Sequence, residues 1–393
     1  MNEVVIVAAA RTPIGRATRG TLRFTRPDEL AALAIRAALA RVPGLPPEQI
    51  EDVVLGCAMP EQEQGMNVAR IAALRAGVPS SVPAFTLNRF CASGLEAIAV
   101  GAQRVAVGQA DVVLVGGVES MSMVPFDKSP VKPNPVLMRD YPDAYLNMGL
   151  TGENLAAQWN ISREEADAFS FQSHQKALAA IEAGKFREEI VPVPVQFQEM
   201  DAKGNVQTRD ILFDTDECPR RETTLEALAA LKPAFQTKGT ITAGNSSQRS
   251  DGAAVLVLMS ATKAQQLGLT PIGRFRGYAV AGVPPEIMGI GPAYAIPKLL
   301  QKTNQTLDDI AVIELNEAFS AQALAVMREY PLPSEKVNPN GGAVALGHPL
   351  GCTGARQAVT LLSELKRRGG GSGIVTMCVG GGMGAAGLFE VVP

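Results

Sequence analysis

The feature that most restricts what this chain can fold into is an internal echo. Cys91-Ala-Ser-Gly94, a helical run and Asp111-Val-Val-Leu-Val-Gly-Gly117 are answered by Cys352-Thr-Gly354, a second helical run and Ile374-Val-Thr-Met-Cys-Val-Gly-Gly381. Ile50-Glu-Asp-Val-Val54 is likewise answered by Leu307-Asp-Asp-Ile-Ala311. The offset, roughly 260 residues, far exceeds the ~20–50-residue period of a solenoid, so two copies of one domain are expected.

Within each copy, β-branched runs alternate with Ala/Leu-rich helical runs, the pattern of α/β layers. Strands are predicted over 4–9, 53–56 and 112–116, and helices over 29–41 and 93–108. The second copy repeats the order with strands over 273–280, 310–315 and 373–378 and helices over 293–301, 318–329 and 353–368. Between the copies, 120–245 is more polar and holds the only tryptophan, Trp159, an amphipathic helix over 163–183 and a loop-like stretch over 198–208. The expected division is 1–119 plus 246–270 for the first domain, 120–245 for an inserted loop domain and 271–393 for the second. The proline-rich 125–142 reads as a covering or partner-contacting loop.

Several function classes are disfavoured. A formal charge of -3 without a dense Lys/Arg cluster argues against nucleic acid as a partner. The most apolar long stretch, 95–118, is interrupted by Glu96, Gln103, Arg104, Gln109 and Asp111, so no membrane insertion is expected. The start reads as a strand rather than a secretory leader, and five scattered cysteines without CxxC spacing fit free thiols in the cytoplasm and no metal site. No GxGxxG opens a helix with an acidic residue roughly 20 positions on, which disfavours a dinucleotide.

Three segments set a reactive side chain beside glycine at an element's end. Cys91 precedes a long helix, whose free N–H groups are expected to lower its pKa and make it a nucleophile. His348, flanked by Gly347 and Pro349, suits proton transfer from a fixed loop. Cys378 follows a buried strand, beside backbone N–H groups able to hold an oxyanion. A fourth segment places Asn316 and Glu317 at a strand-to-helix junction, where an amide can hold a water or orient His348. Two thiols and one imidazole suggest a two-step acyl transfer. His174, among Gln172, Ser173, Gln175 and Lys176, is expected to be a surface histidine, and Cys57, Cys218 and Cys352 to be structural.

Taken together, Asn88-Arg-Phe-Cys-Ala-Ser-Gly94, Asn316-Glu-Ala-Phe319, the run from Gly341 to Arg356 around His348, and Met377-Cys-Val-Gly-Gly-Gly-Met-Gly384 resemble the four signature blocks of thiolases, in family order and across the whole chain. The resemblance implies two duplicated α/β domains stacked as a five-layer α/β/α/β/α sandwich, each with a five-stranded mixed sheet. It implies that Cys91 takes the acyl group, His348 activates it and Cys378 shuttles the proton. Asn316 would hold a water that binds a thioester oxygen with His348, the N–H groups of Cys91 and Gly380 would form a second oxyanion hole, and Glu317 would support the site from behind. Coenzyme A would be a substrate, with no permanently bound cofactor. Its contacts are expected at Met148, Ala243, Ser247 and Phe319, with Arg220 at the nucleotide end.

The implied partners are 3-ketoacyl-CoA, acetyl-CoA and coenzyme A, in fatty acid β-oxidation. A homodimer or homotetramer is implied, to which 81–89 and 116–124 could contribute. The segments over 245–252 and 284–294, together with Leu350-Gly-Cys-Thr-Gly354, most resemble degradative 3-ketoacyl-CoA thiolases. Asn147 stands where biosynthetic acetoacetyl-CoA thiolases often carry histidine, and that short-chain activity stays open as an alternative. Decarboxylating condensing enzymes share the fold but need a second histidine or asparagine where Cys378 stands. A non-catalytic lipid-binding or scaffold protein should have lost some of Cys91, Asn316, His348 and Cys378.

Overall fold

The computed structural model describes residues 1–126, 132–200 and 205–392. The first half runs β1 (Val4–Arg11), β2 (Gly15–Arg16), α1 (Pro27–Ala40), β3 (Asp52–Gly56), α2 (Val68–Ala76), β4 (Ala84–Leu87), α3 (Ser93–Ala106) and β5 (Val112–Ser120). An excursion follows through α4 (Pro135–Asp140), α5 (Met148–Gln158), α6 (Arg163–Glu182), the hairpin β6 (Val193–Met200) and β7 (Val206–Phe213), and α7 (Leu225–Ala229). The chain returns as β8 (Ser250–Ser260) and α8 (Ala261–Gln266). The second half contains β9 (Gly273–Gly282), α9 (Gly291–Thr303), β10 (Ile310–Leu315), α10 (Ser320–Glu329), α11 (Ala343–Leu346), α12 (Leu350–Arg367), β11 (Gly371–Val379) and β12 (Met383–Val391).

The duplication is plain in strand order. The first half reads β4-β3-β5-β8-β1 and the second β10-β11-β12-β9, with a bridge from Ile313 to Val337 standing where β4 stands in the first. In each half the strands that flank the central helix are parallel, β3 with β5 and β10 with β11, and so are the edge pairings of β3 with β4 and of Ile313 with Val337; the β5–β8, β8–β1, β11–β12 and β12–β9 pairs run antiparallel. Parallel neighbours need a long crossover, which α3 and α12 supply. The second sheet thus has four full strands and a one-bridge edge where five strands were expected. The two sheets also join at one corner, where Val5 pairs with Arg274 and Ile6 with Gly273.

Five layers result from sheets buried on both faces. Along β5, Val112 and Leu114 pack outward on Leu30 and Ile35 of α1, while Val113 and Val115 pack inward on Leu95 and Ile98 of α3. A strand with period-two side chains and two covered faces must be apolar throughout, which is why β5 reads as a continuous hydrophobic run. In the second half, α9 and α10 cover the outer face through Ile296, Leu299, Ala321 and Ala325 on Ile313, Ile374 and Leu388. The central layer is α3 against α12, joined by Ala355, Val359 and Leu362 to Val312, Val375 and Phe389.

Glycine sets how closely those two helices cross. A Cβ on Gly94 would lie 2.8 Å from the Gly351 carbonyl oxygen, one on Gly354 2.5 Å from the Leu95 nitrogen, and one on Gly117 2.0 Å from the Gly351 oxygen. The N-termini of α3 and α12 therefore meet backbone to backbone.

Three expectations are corrected. His174 is not on the surface: α6 turns it inward, it is 2% exposed, and its Nδ1 accepts from the Arg220 N–H at 3.2 Å. The stretch 116–124 is mostly buried within the single chain because β5 lies mid-sheet, so it offers little to a partner. The stretch 198–208, read as loop, includes the paired ends of β6 and β7, while 201–204 lie outside the described residues, as do 127–131 of the expected covering loop.

Replacing Gly354 by alanine should lower the chain's stability in denaturant titration by about 1–3 kcal/mol, because backbone must shift. Gly282→Ala, whose Cβ meets nothing within 4 Å, should stay within about 0.5 kcal/mol of the parent.

Candidate active site

The chain leaves β4 through a tight turn. Asn88 Oδ1 accepts from the Phe90 N–H at 2.7 Å, and Phe90 takes a left-handed backbone conformation with φ +42°. That conformation costs on the order of 1–2 kcal/mol for a residue with a Cβ. Ser93 stabilises it: its hydroxyl accepts from the Arg89 N–H at 2.9 Å and donates to the Phe90 carbonyl at 2.7 Å. The turn sends Phe90 outward, 43% exposed, and Cys91 inward, 3% exposed.

Cys91 does not have the lowered pKa expected from its helix. Burial outweighs the N–H groups of Gly380 and of Cys91 itself that point at the sulfur, and Glu119 adds a nearby negative charge, so the thiol is pushed up to about 11. At neutral pH this is a protonated thiol that needs a base. Cys378, at the end of β11, is fully buried and its pKa is raised, first by burial and then by the proximity of Cys91. The β11–β12 turn, with Gly381 and Gly382 at φ +81° and +85°, is what brings the Gly380 N–H to the Cys91 sulfur.

His348 sits between α11 and α12, its N–H donating to the Gln248 carbonyl at 2.9 Å. The Thr353 hydroxyl donates to the Pro349 carbonyl at 2.9 Å, leaving its oxygen to accept from His348 Nδ1–H at 2.6 Å. Nε2 therefore carries the lone pair, 3.3 Å from Asn316 Nδ2. Burial, then the Arg356 charge, hold the imidazole neutral by pushing its pKa down to about 3. Asn316, at the end of β10, keeps a fully buried Oδ1 without a partner, an acceptor ready for a water or ligand donor.

The junction carrying Asn316 is clamped. Asn338 bonds both backbone groups of Leu315, at 2.9 and 2.8 Å, and donates to Glu317 Oε1 at 2.7 Å. Glu317 Oε2 accepts from Ser173 of α6 at 2.7 Å and from the Val344 N–H at 3.1 Å. One carboxylate thus ties the excursion, the Asn316 segment and the loop leading to His348.

Cys91 and His348 line a cavity of about 210 Å³ together with Met148, Ser247 and Phe319, all named from sequence. Cys378 and Asn316 lie buried behind it. Arg220 instead borders a separate cavity of about 450 Å³ with Arg221, Thr223 and Leu231, and Ala243 is exposed and lines neither. Sequence reasoning missed Met121, Phe126, Phe235, Met288 and Leu350, which make the first cavity mostly apolar, and Arg249 beside them. Nothing local marks these residues, which come from five separate segments. Thr353 was also missed, although a hydroxyl one turn beyond a loop histidine is a readable signal. Among the described residues there is no cluster of three or more His, Cys, Asp or Glu that could hold a metal, and no helix long and apolar enough to cross a membrane.

Residues 4–262 match the family model described as thiolase, N-terminal domain, and residues 269–391 the one described as thiolase, C-terminal domain. The chain is 50% identical over 391 residues to the 3-ketoacyl-CoA thiolase of Bacillus subtilis (strain 168), covering 100% of both chains. It is 50% identical to the peroxisomal 3-ketoacyl-CoA thiolase A of Rattus norvegicus, covering 99% of this chain and 89% of the relative. Among solved structures, the crystal structure of the Bacillus anthracis acetyl-CoA acetyltransferase superposes with a TM-score of 0.90 at 44% identity, covering 100% of this chain and 99% of that one.

The buried His174 gives a pH-dependent signature separable from the thiols. Burial, then Arg220, push its pKa down to about 4 in the folded chain, whereas an unfolded imidazole protonates near ~6.5. Between those values the unfolded chain binds more protons, so this group's contribution to stability is lost as pH falls. From pH 7 to pH 5 the parent should lose about 2 kcal/mol that His174→Asn retains, read as the difference between their stability-versus-pH slopes.

Proposed function

Because the chain belongs to the thiolase family, we propose that it is an acyltransferase whose Cys91, His348, Cys378 and Asn316 cleave a 3-ketoacyl-CoA with coenzyme A into acetyl-CoA and a shortened acyl-CoA. The observation that carries this assignment is the gathering of two thiols and one neutral imidazole, Cys91 and His348 lining one apolar cavity and Cys378 buried close to Cys91 behind it.

His348 Nε2 takes the Cys91 proton as the sulfur attacks the 3-keto carbon. The oxygen of the tetrahedral adduct is held by the N–H groups of Cys91 and Gly380. The Cα–Cβ bond then breaks, its electrons become the enolate of acetyl-CoA, and Cys378 gives its proton to that carbon. The enolate oxygen faces Nε2 and a water on Asn316 Oδ1. In the second step the coenzyme A thiol loses its proton to the Cys378 thiolate and attacks the acyl carbon. Cys91 leaves and recovers its proton from His348. Read backwards, the same sequence is a Claisen condensation of two acetyl groups.

Met148, Ser247 and Phe319 are the coenzyme A contacts best supported by the cavity, and Arg220 lies at the second cavity where a nucleotide end would reach. A cytoplasmic setting fits the five unpaired cysteines. Assembly as a dimer, or as a tetramer, is supported by β4, a sheet-edge strand of half-buried residues beside the exposed Phe90 and Met66. Light scattering should give a mass at least twice that of one chain.

The activity is tested by following thiolysis of 3-ketoacyl-CoA thioesters from C4 upward as loss of enolate absorbance. Activity extending to long chains is expected, placing the chain in the degradative branch. Activity confined to C4 would assign it to acetoacetyl-CoA, and none at all would overturn the reading. Cys91→Ala should cost at least about 10³-fold in kcat. Cys378→Ala should stop turnover while a labelled acyl group still accumulates on Cys91 from an acyl-CoA.

A further inference from the structure

Glu119 is the only charged residue of β5 and is completely buried. Its Oε2 accepts two backbone N–H groups, from Ala58 and from Gly351, each at 2.8 Å. Its Oε1 accepts from the Gln64 side-chain amide at 2.7 Å and from the Met59 N–H at 3.3 Å. Gly351 is the second residue of α12, in the first turn, where N–H groups have no acceptor within the helix. Pro349, at the cap position, supplies no side-chain acceptor. A carboxylate from the first half therefore caps the helix of the second half that begins beside His348, where the positive end of the helix favours a negative charge.

The other N–H leads to Cys91. Ala58 follows β3, and its carbonyl accepts from Asn88 Nδ2 at 3.0 Å. Asn88 Oδ1 in turn holds the Phe90 N–H at 2.7 Å, directly before Cys91. Glu119 Oε2 is thus the shared point of two short chains of bonds, one ending at the turn that aims the thiol and one at the turn that aims the imidazole.

We propose that Glu119 is a positioning residue that sets the spacing between the Cys91 thiol and the His348 imidazole, by fastening the first turn of α12 to the framework that carries Cys91. The inference rests on the acyl-transfer roles given to those two residues above. A second effect accompanies it. The groups facing Cys91 are Cys378 from β11, His348 from the α11–α12 turn, Arg249 across the cavity and Glu119 from β5. Of these, the Glu119 carboxylate is the one that favours keeping the sulfur protonated.

Glu119→Gln keeps the shape but presents an acceptor on one side only, so one of the two donor pairs faces an amide NH2. The expected result is a fall in kcat of about 10- to 100-fold with KM for coenzyme A within about twofold, since Glu119 does not line the cavity. The pH midpoint for iodoacetamide alkylation of Cys91 should move downward, because a neighbouring negative charge has been removed. An unchanged kcat, or a loss of kcat that only tracks a lowered melting temperature with the alkylation midpoint unmoved, would overturn the proposal. Should the variant not fold, hydrogen exchange on the parent decides: the Gly351 N–H must be strongly protected despite its place in a first turn, and rapid exchange would sink the idea. Alkylation and exchange need no acyl-CoA, so they stay readable even if the thiolysis assay fails.

Discussion

Most of what the molecule does depends on how closely α3 and α12 approach at their N-termini. Each helix starts immediately beside a reactive residue, Cys91 before α3 and His348 before α12. Their separation is governed by Gly94, Gly117, Gly351 and Gly354, at each of which a Cβ would overlap backbone of the other half or lie within 3 Å of it. The cost of so much glycine is backbone entropy, offset by burial of the surrounding Leu95, Ile98, Ala355 and Val359 between two sheets. A larger residue there would open the central layer and part Cys91 from His348.

Burial also decides the resting charge state of the site. Isolated in water, Cys91 would be partly ionised near pH 8.5 and His348 near pH 6.5. Enclosed, both are neutral: the thiol is pushed up to about 11 and the imidazole down to about 3. The helix N-terminus that would favour a thiolate is too weak against desolvation with Glu119 nearby. Such a site holds no exposed nucleophile at rest, and the N–H groups of Cys91 and Gly380 already point at the buried sulfur.

The excursion between β5 and β8 is fastened by buried charge as well as by apolar contacts, Leu155, Ile161 and Ile241 joining the core of the second half and Val193, Val195 and Phe213 that of the first. Arg11, 1% exposed, holds Asp216 through two bonds of 2.8 and 2.9 Å and Glu189 at 2.7 Å, while Glu317 of the second half holds Ser173 of α6. Removing one partner of such a set leaves an uncompensated charge, so each bond restricts where the excursion can sit. This placement lays Met148 and Phe235 over the cavity floor formed by Cys91 and His348.

Legible in the sequence alone were the duplication, the α/β class, twelve of the main elements and the four segments that converge, because each is written in local periodicity or in a motif with its own chemistry. Cys91, His348, Cys378 and Asn316 were legible in this way as candidates for one site. The remainder depends on neighbours distant in the chain. His174 looked solvated because its polar companions are local, whereas the surface that buries it is remote. The Cys91 pKa looked lowered because its helix is local, whereas the burial that raises it comes from both halves. The apolar cavity wall, the one-bridge edge of the second sheet and the meeting of Ala58 with Gly351 on Glu119 join residues tens to hundreds of positions apart. Pairings of that kind are selected by how the two copies pack, which no stretch of either copy encodes alone.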